Sequence, residues 1–381
     1  MWLRRSILAP KSSGRFFSSQ ATEASVKFDN FRTLESNPTN HTEAHLARFY
    51  TVDPSLRKTT FHKTTMPKKY FEDTKAFTEM SLMVREPAVE VIGYLNKTDY
   101  TKPINRFVFY GELGVGKSLQ LLHLIHYGQA NDFVIVHVPW VPDWFKRPKE
   151  RSNSETKEGY LDINIDAASW LIHFKTQNTD LLMKLDLKCS KEYVWSQRES
   201  TPAGSTLLEL IEHGINRVKF ATDTIAVLLE ELKQQSTEGK CRTMVAIDGF
   251  NAFFHPKTVM KFDNKIKATP DDITITQPFL SMTQSDWTGG VCLLVVDKWA
   301  LSEDRMESNL PKYLMGRKGF EFIDPFVPMR VDLYNDQEFD HVINYYLDRK
   351  WIQNYVPGLD KELKFLSGRN AYKLKQITAP L

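Results

Sequence analysis

Residues 106–128 read RFVFYGELGVGKSLQLLHLIHYG, and this stretch decides the fold. Residues 107–110 are aromatic or β-branched, which is typical of a buried strand. Residues 111–118 match G-x-x-x-x-G-K-[ST] at every fixed position. Leucines and an isoleucine then give an apolar helical face, and Gly128 is a natural helix end. The order strand, glycine loop, helix predicts an α/β fold built around a nucleotide-binding loop.

The chemistry of phosphate explains the spacing of this loop. Glycines let the backbone wrap around an anion and point its N–H groups inward, and the following helix N-terminus adds a favourable dipole. Lys117 is placed to reach the β- and γ-phosphates, and the Ser118 hydroxyl to ligate Mg²⁺. A glycine-rich turn without a ligand is the alternative. The candidate nucleotide-binding residues are Gly111, Glu112, Leu113, Gly114, Val115, Gly116, Lys117, Ser118 and Leu119.

A second acidic position follows further along the chain. Residues 243–248 read TMVAID, a buried strand that ends in aspartate. Parallel strands deliver such a side chain to the phosphate edge of a sheet, so Asp248 is a Mg²⁺ ligand candidate together with Ser118. An aspartate that caps a turn is the alternative interpretation.

The residues after Asp248 indicate whether a bound nucleotide would be hydrolysed quickly. Gly249, Phe250 and Asn251 follow it, whereas many ATPases of the AAA type place a glutamate there to activate water. General-base catalysis then needs another group, since the Asn251 amide can orient water but is not an effective base. We therefore expect slow or absent hydrolysis and name no catalytic residue.

The first residues predict import into mitochondria. Residues 1–17 hold four Arg or Lys residues and no acidic one, and are rich in serine, as transit peptides are. Residues 15–18 read RFFS, which resembles a mitochondrial processing site with cleavage after Phe17. Removing the four positive charges takes the formal charge from +3 to −1. Any RNA contact must then come from a local patch, and an ordinary basic tail is the alternative.

Residues 18–75 are predicted to be an extended arm, because they lack sustained periodicity. Within them the basic run, residues 54–71, has no acidic residue and interleaves cations with aromatic side chains. Cations neutralise phosphates and aromatic rings stack on bases, so RNA binding and a solvated basic loop are both open. The RNA-binding candidates are Arg57, Lys58, Lys63, Lys68 and Lys69.

The rest of the chain is predicted to form two regions, a domain that contains the phosphate loop and a smaller helical region after it. Residues 76–333 are predicted to form the nucleotide domain, with an insertion at about 139–205, and residues 334–381 a small helical region. Amphipathic patterns predict helices over residues 71–96, interrupted at Pro87, and over residues 207–235. Residues 291–297 predict another buried strand, with Asp297 as a polar sensor residue or a turn cap. No apolar run approaches membrane-spanning length.

Several stretches together resemble a known family. They are the phosphate loop with its flanks, VHVPW at residues 136–140, residues 169–176, DGFNAFF at residues 248–254, and the Tyr345–Tyr346 pair. In these the chain resembles the death-associated protein 3 family, the nucleotide-binding proteins of the mitochondrial small ribosomal subunit. The resemblance covers most of the chain from about residue 40 onward.

The resemblance implies an AAA-like P-loop NTPase domain in the head of the mitochondrial small ribosomal subunit, in the matrix. It implies contacts with rRNA and neighbouring ribosomal proteins, bound GTP or GDP with Mg²⁺, and a link to apoptosis in animals. No credible guanine-reading motif occurs in the sequence, so ATP stays open, and we expect no homo-oligomer. The alternatives are an active P-loop NTPase switch and, less favoured, a small-molecule kinase.

Overall fold

The computed structural model describes residues 30–255, 258–301 and 307–379, so the predicted targeting segment, residues 1–17, lies outside them. The strands are β1 Phe49–Thr51, β2 Ser81–Met83, β3 Asn105–Tyr110, β4 Phe133–Val138, β5 Ser152–Asn153, β6 Leu161–Asp162, β7 Tyr193–Ser196, β8 Glu199–Thr201, β9 Arg242–Asp248, β10 Gly290–Val295 and β11 Val327–Arg330. The helices are α1 Leu56–Thr59, α2 Lys68–Ala76, α3 Glu86–Lys97, α4 Lys117–Ala130, α5 Pro142–Lys146, α6 Asn164–Leu185, α7 Leu207–Asn216, α8 Ala221–Thr237, α9 Thr276–Met282, α10 Pro311–Ile323, α11 Asp336–Asp348, α12 Leu359–Ser367 and α13 Ala371–Thr378.

Five strands form a parallel sheet in the order β11-β3-β10-β9-β4, which confirms the predicted α/β class and parallel central sheet. In the register, Val295 at the end of β10 lies beside Phe109 on β3 and Asp248 on β9. The carboxyl ends of these strands therefore meet at one edge. This topology brings the loop after β3, Asp248 and Asp297 to the same place.

Both faces of the sheet are buried, because successive residues of each strand point to opposite faces and most of them are apolar. Val108, Val245 and Leu294 point to one face, where they pack with α6, α7 and α8. Phe109 and Ala246 point to the other, where α3 and α4 cover them. These two layers hold the sheet edge rigidly in place. None of the described helices is long and apolar enough to span a membrane.

The predicted extended arm differs from the structure, in which residues 30–75 pack against the domain. Strand β1 pairs with β2, and Tyr50, Val52 and Phe61 are buried in the same core as α4. The physical reason is apolar burial: these side chains are spaced too irregularly to predict an element, yet each finds a place on the domain.

The two long predicted helices are also divided. Residues 71–96 form α2, β2 and α3, since Thr78 has a left-handed φ of 59° just after α2 ends. Residues 207–235 form α7 and α8, because Arg217 leaves helical geometry with φ −112° and ψ 71°. Both α7 and α8 contact α6 as a result. The C-terminal region contains α11, α12 and α13, which pack on Phe31, Phe49 and Phe77 from the N-terminal side.

Candidate nucleotide site

The phosphate loop, residues 111–118, has its carbonyl oxygens held by donors from several parts of the chain. Lys117 Nζ reaches back to Gly111 O at 3.0 Å and Glu112 O at 2.7 Å. The next three carbonyl oxygens accept from Asn370 Nδ2 (Leu113 O, 2.8 Å), the Tyr372 backbone N (Gly114 O, 3.0 Å) and Arg85 Nη1 (Val115 O, 2.8 Å). Gly116 O accepts from the first turn of α4.

The N–H groups of the same loop have no acceptor in the part of the chain that the structure describes. In a trans peptide the C=O and N–H bonds point in opposite directions, so holding the carbonyls also sets the direction of the amides. Among the residues that the structure describes, no acceptor meets the backbone N–H groups of residues 112–118. Unpaired N–H groups at the start of a helix favour an anion, both by hydrogen bonding and through the helix dipole.

Two glycines allow the loop to lie this close to its neighbours. Gly111 has φ +149°, and a Cβ there would lie 2.3 Å from Val331 O. Gly114 has φ +78°, and its Cβ would lie 2.5 Å from Tyr372 Cβ. Any other side chain would push the loop away from β11 or α13.

Lys117 is buried and paired with a carboxylate. Its Nζ lies 2.8 Å from Asp297 Oδ2, in addition to the two loop carbonyls. Asp297 also accepts from Trp299 N at 2.8 Å and so caps the turn Lys298–Ala300. The structure confirms the turn cap, and the role of a polar sensor residue stays a prediction. A phosphate on the loop would share the Lys117 ammonium with this carboxylate.

Asp248 is buried beside the loop, as its position at the end of β9 predicts. Burial raises the pKa of its carboxyl to about 7, although a hydrogen bond from Ser118 lowers it. Asp248 Oδ1 has no hydrogen-bond partner among the described residues. A buried carboxylate with one unpartnered oxygen next to a serine hydroxyl is a fitting donor set for Mg²⁺, which binds hard oxygen ligands. The geometry brings together both predicted metal ligands.

The residue after Asp248 has no room for a side chain. Gly249 has φ +73°, and a Cβ would lie 2.7 Å from Pro142 Cδ and 3.1 Å from the Trp140 ring. A glutamate at this position would therefore clash. Asn251 is fully buried, donates from Nδ2 to Asp297 O at 2.9 Å and accepts from Asp297 N at 3.0 Å. Its amide thus holds the Asp297 backbone, which corrects the idea that it orients water.

Comparison of the sequence with known proteins shows which family the chain belongs to. Residues 82–377 match the family model described as mitochondrial ribosomal death-associated protein 3. The chain belongs to this family. It is similar to the small ribosomal subunit protein mS29 of Bos taurus, with 38% identity over 353 residues, covering 92% of this chain and 88% of that protein. It is also similar to mS29 of Mus musculus, with 36% identity over 92% of this chain and 89% of that protein.

Membership of the death-associated protein 3 family confirms the predicted resemblance and a mitochondrial location. The family match begins at residue 82 and so includes the phosphate loop, Asp248 and the C-terminal helices that contact the loop. The predicted site residues of this family member therefore all lie within the matched region, except the RNA candidates in the arm.

Those RNA candidates lie apart from the phosphate loop in this family member, with one exception. Arg57 and Lys58 are on α1, Lys63 follows α1, and Lys68 is on α2; none of these four pairs with a carboxylate among the described residues. Lys69, also on α2, contacts the Tyr372 hydroxyl and so lies near the loop. Of the aromatic side chains predicted to stack on bases, Phe61 is buried and so cannot do so, and Tyr70 and Phe71 are half-buried.

Sequence reasoning missed the residues that hold the loop from outside. Arg85 is buried and bonds Glu338 Oε1 at 2.7 Å and Asp332 O at 2.9 Å, besides Val115 O. Asn370 and Tyr372 reach the loop from α13. Val115 is 30 residues from Arg85, Asp332 and Glu338 are 247 and 253 residues from it, and Asn370 is 257 residues from Leu113. No local pattern in this member of the family could have indicated them.

Proposed function

We propose that this chain is a structural component of the mitochondrial small ribosomal subunit that binds a guanine nucleotide with Mg²⁺ on its phosphate loop. Turnover is slow or absent, so the nucleotide is retained rather than consumed. The observation that carries the proposal is that the N–H groups of residues 112–118, beside the buried Lys117 ammonium, have no acceptor among the residues the structure describes. These groups supply the donors and the charge that a di- or triphosphate requires.

The sheet order supports an AAA-like P-loop NTPase fold for this site. The loop strand β3 lies next to β10, and β10 separates it from β9, which carries Asp248. At the carboxyl ends of these strands Lys117 pairs with Asp297 and the Ser118 hydroxyl lies beside Asp248, so phosphates on the loop would have Mg²⁺ within reach.

Mg²⁺ would be held by Ser118 and Asp248. When bound, it would neutralise phosphate charge and shield the two carboxylates, Asp248 and Asp297, from the nucleotide. Slow turnover is supported by Gly249, because the position that would carry a water-activating glutamate is closed by Pro142 and Trp140.

The ribosomal setting is supported by the printed names of the relatives, both of which are small ribosomal subunit proteins. Guanine is proposed from the family resemblance. Contact with rRNA is proposed for the unpaired cations of the basic run, Arg57, Lys58, Lys63 and Lys68. They are exposed or half-exposed and have no protein carboxylate to neutralise them among the described residues.

Two experiments test the proposal. Mass spectrometry of nucleotide extracted from purified protein should find guanine nucleotide in wild type and none in Lys117→Ala. Adenine nucleotide in wild type would overturn the choice of base, and no nucleotide in any preparation, with no binding of added Mg-GDP, would overturn the site itself.

Sucrose-gradient sedimentation of mitochondrial lysate tests the setting. We expect the protein to migrate with the small ribosomal subunit. A free pool that releases phosphate from GTP at a steady rate, lost in Lys117→Ala, would favour the alternative, an active P-loop NTPase switch. Replacing Arg57, Lys58, Lys63 and Lys68 by alanine should reduce comigration and flatten its salt dependence if these cations touch phosphates.

A further inference from the structure

We propose that the C-terminal helix α13 is part of the nucleotide site: Asn370 and Tyr372 position the phosphate loop, and nucleotide binding in turn stabilises the docking of α11–α13. This inference rests on the proposed nucleotide binding and goes beyond it. It identifies Asn370 and Tyr372 as positioning residues, although they follow the loop carbonyls they hold by 257 and 258 positions, and it couples the site to a separate helical region.

The carboxamide of Asn370 hydrogen-bonds both to the phosphate loop and to the first turn of α13. Its Nδ2 donates to Leu113 O at 2.8 Å, and its Oδ1 accepts from Lys373 N at 3.1 Å, which caps α13. The side chain is 4% exposed, so water does not compete for either bond. The orientation of the Leu113 carbonyl is therefore tied to the first turn of α13.

Tyr372 holds the next peptide with its backbone. Its N–H donates to Gly114 O at 3.0 Å. With Leu113 O and Gly114 O both directed to α13, the N–H groups of Gly114 and Val115 are directed the opposite way, since each peptide is planar and trans. Amides that are already oriented bind an anion without a further ordering cost, which is how α13 contributes to affinity.

The other face of α13 is fixed to α2. The Lys69 ammonium lies 4.4 Å from the centre of the Tyr372 ring, and Lys375 forms an ion pair with Asp73. Trp299, in the turn that Asp297 caps, meets the Tyr372 ring edge-on with centroids 6.0 Å apart. The helix is thus enclosed by α2, the Asp297 turn and the phosphate loop, so a shift of the loop changes its packing.

A second connection runs through α11. Arg85 donates to Val115 O and forms a buried pair with Glu338 on α11. The loop is therefore bonded directly to α13 and is connected through Arg85 to α11, and both helices belong to the same C-terminal cluster. Because binding couplings are reciprocal, a docked C-terminal region raises nucleotide affinity, and bound nucleotide raises the stability of that docking by the same factor.

The test compares Asn370→Asp with Lys373→Gln in the full-length protein. The aspartate keeps an acceptor for Lys373 N but replaces the donor facing Leu113 O with a second acceptor. Lys373 is exposed on the same helix turn, and its change to glutamine removes one positive charge, which matches the charge change at Asn370. Mg-GDP affinity is measured by titration calorimetry, and amide hydrogen exchange is followed with and without Mg-GDP.

We expect Asn370→Asp to raise the Kd for Mg-GDP about tenfold and Lys373→Gln to change it less than twofold. Mg-GDP should slow amide exchange in α13 of the wild type but leave α7 unchanged, because α7 packs on α6 and α8. Equal affinity of wild type and Asn370→Asp, or unchanged exchange in α13 of nucleotide-bound wild type, would overturn this inference alone. A wild type that binds no nucleotide would overturn the proposed function as well. If Asn370→Asp does not fold, amide exchange of the wild type with and without Mg-GDP tests the coupling between the nucleotide and α13 instead.

Discussion

Two groups of buried histidines join the N-terminal residues to the domain, and they predict a loss of stability in acid. In the first, His41 Nδ1 lies 2.8 Å from His123 Nε2, and His126 Nδ1 lies 3.3 Å from the Tyr50 hydroxyl. In the second, His173 Nδ1 lies 3.5 Å from His62 Nε2, and the His137 and His173 rings are 5.3 Å apart. Each group therefore links residues 30–75 to α4 or α6.

Burial keeps these imidazoles neutral in the folded protein. It lowers the pKa of His126 to about 4 and the pKa of His173 to about 3, and it holds the pKa of His123 and His137 well below their usual value. Neighbouring histidines add repulsion when one becomes charged, while Asp53 slightly favours a charged His126. A histidine whose folded pKa is lowered contributes stability that is present above pH 6.5 and is lost as the pH falls toward the folded pKa.

The size of this loss in the free energy of unfolding follows from the difference between the pKa of each histidine in the unfolded chain and in the folded protein. From pH 7.5 to pH 5.0 the unfolded chain protonates each of these histidines and the folded chain does not. At pH 5.0 the loss is about 1.4 kcal/mol for each of the roughly 1.5 pH units below 6.5, or about 2 kcal/mol per histidine. His126 and His173 together remove about 4 kcal/mol, a large part of the stability of an ordinary domain.

Urea unfolding at pH 7.5 and pH 5.0, followed by tryptophan fluorescence, measures this loss. His173→Leu should make the difference in unfolding free energy between the two pH values smaller by about 2 kcal/mol, whatever it does to stability at pH 7.5. Met183→Ala is the control, because Met183 is exposed on the same helix α6 and removes no titrating group. A His173→Leu protein that loses as much stability as the wild type would refute the assignment of a neutral, buried His173.

Three further predictions concern the loop and its supports. Gly114→Ala should lower stability by about 1–3 kcal/mol and weaken Mg-GDP binding, as thermal melting and titration would show, because its Cβ meets Tyr372 at 2.5 Å with φ +78°. Arg85→Met should cost about 3–5 kcal/mol in urea unfolding, since it leaves Glu338 buried without its partner; Arg85→Met with Glu338→Leu should recover much of it. Gly249→Glu should lower the melting temperature and produce no phosphate release in a malachite-green assay, because Pro142 occupies the space.

The phosphate loop and the acidic strand could be predicted from sequence because their signals are local. The motif at residues 111–118 fixes its own spacing, and the apolar patterns on either side give β3 and α4. Asp248 ends a continuous apolar strand, which a parallel sheet places at the same edge. Each prediction needed only neighbouring residues and one general rule about parallel strands.

The supports of the loop could not be predicted because their signals are not local. Asn370 resembles an ordinary helix cap, which it also is, and nothing in its neighbourhood indicates Leu113. The packed residues 30–75 were missed for a related reason: Tyr50 and Phe61 are buried singly, without a period, in a core that residues distant in sequence, including those of α4, complete.

The bonds that hold the loop support the proposal that a bound nucleotide is retained. The five carbonyl oxygens of residues 111–115 accept hydrogen bonds from Arg85, from Lys117 and from Asn370 and Tyr372 of the α13 region. The loop therefore cannot open without breaking bonds to residues that precede it and to residues near the C-terminus. A loop held in this way loses little entropy when it binds phosphate, which favours tight binding. The same rigidity opposes the repeated opening that product release requires. The packing of Gly249 and the bonding of the loop therefore both favour a nucleotide that stays bound and stabilises the fold.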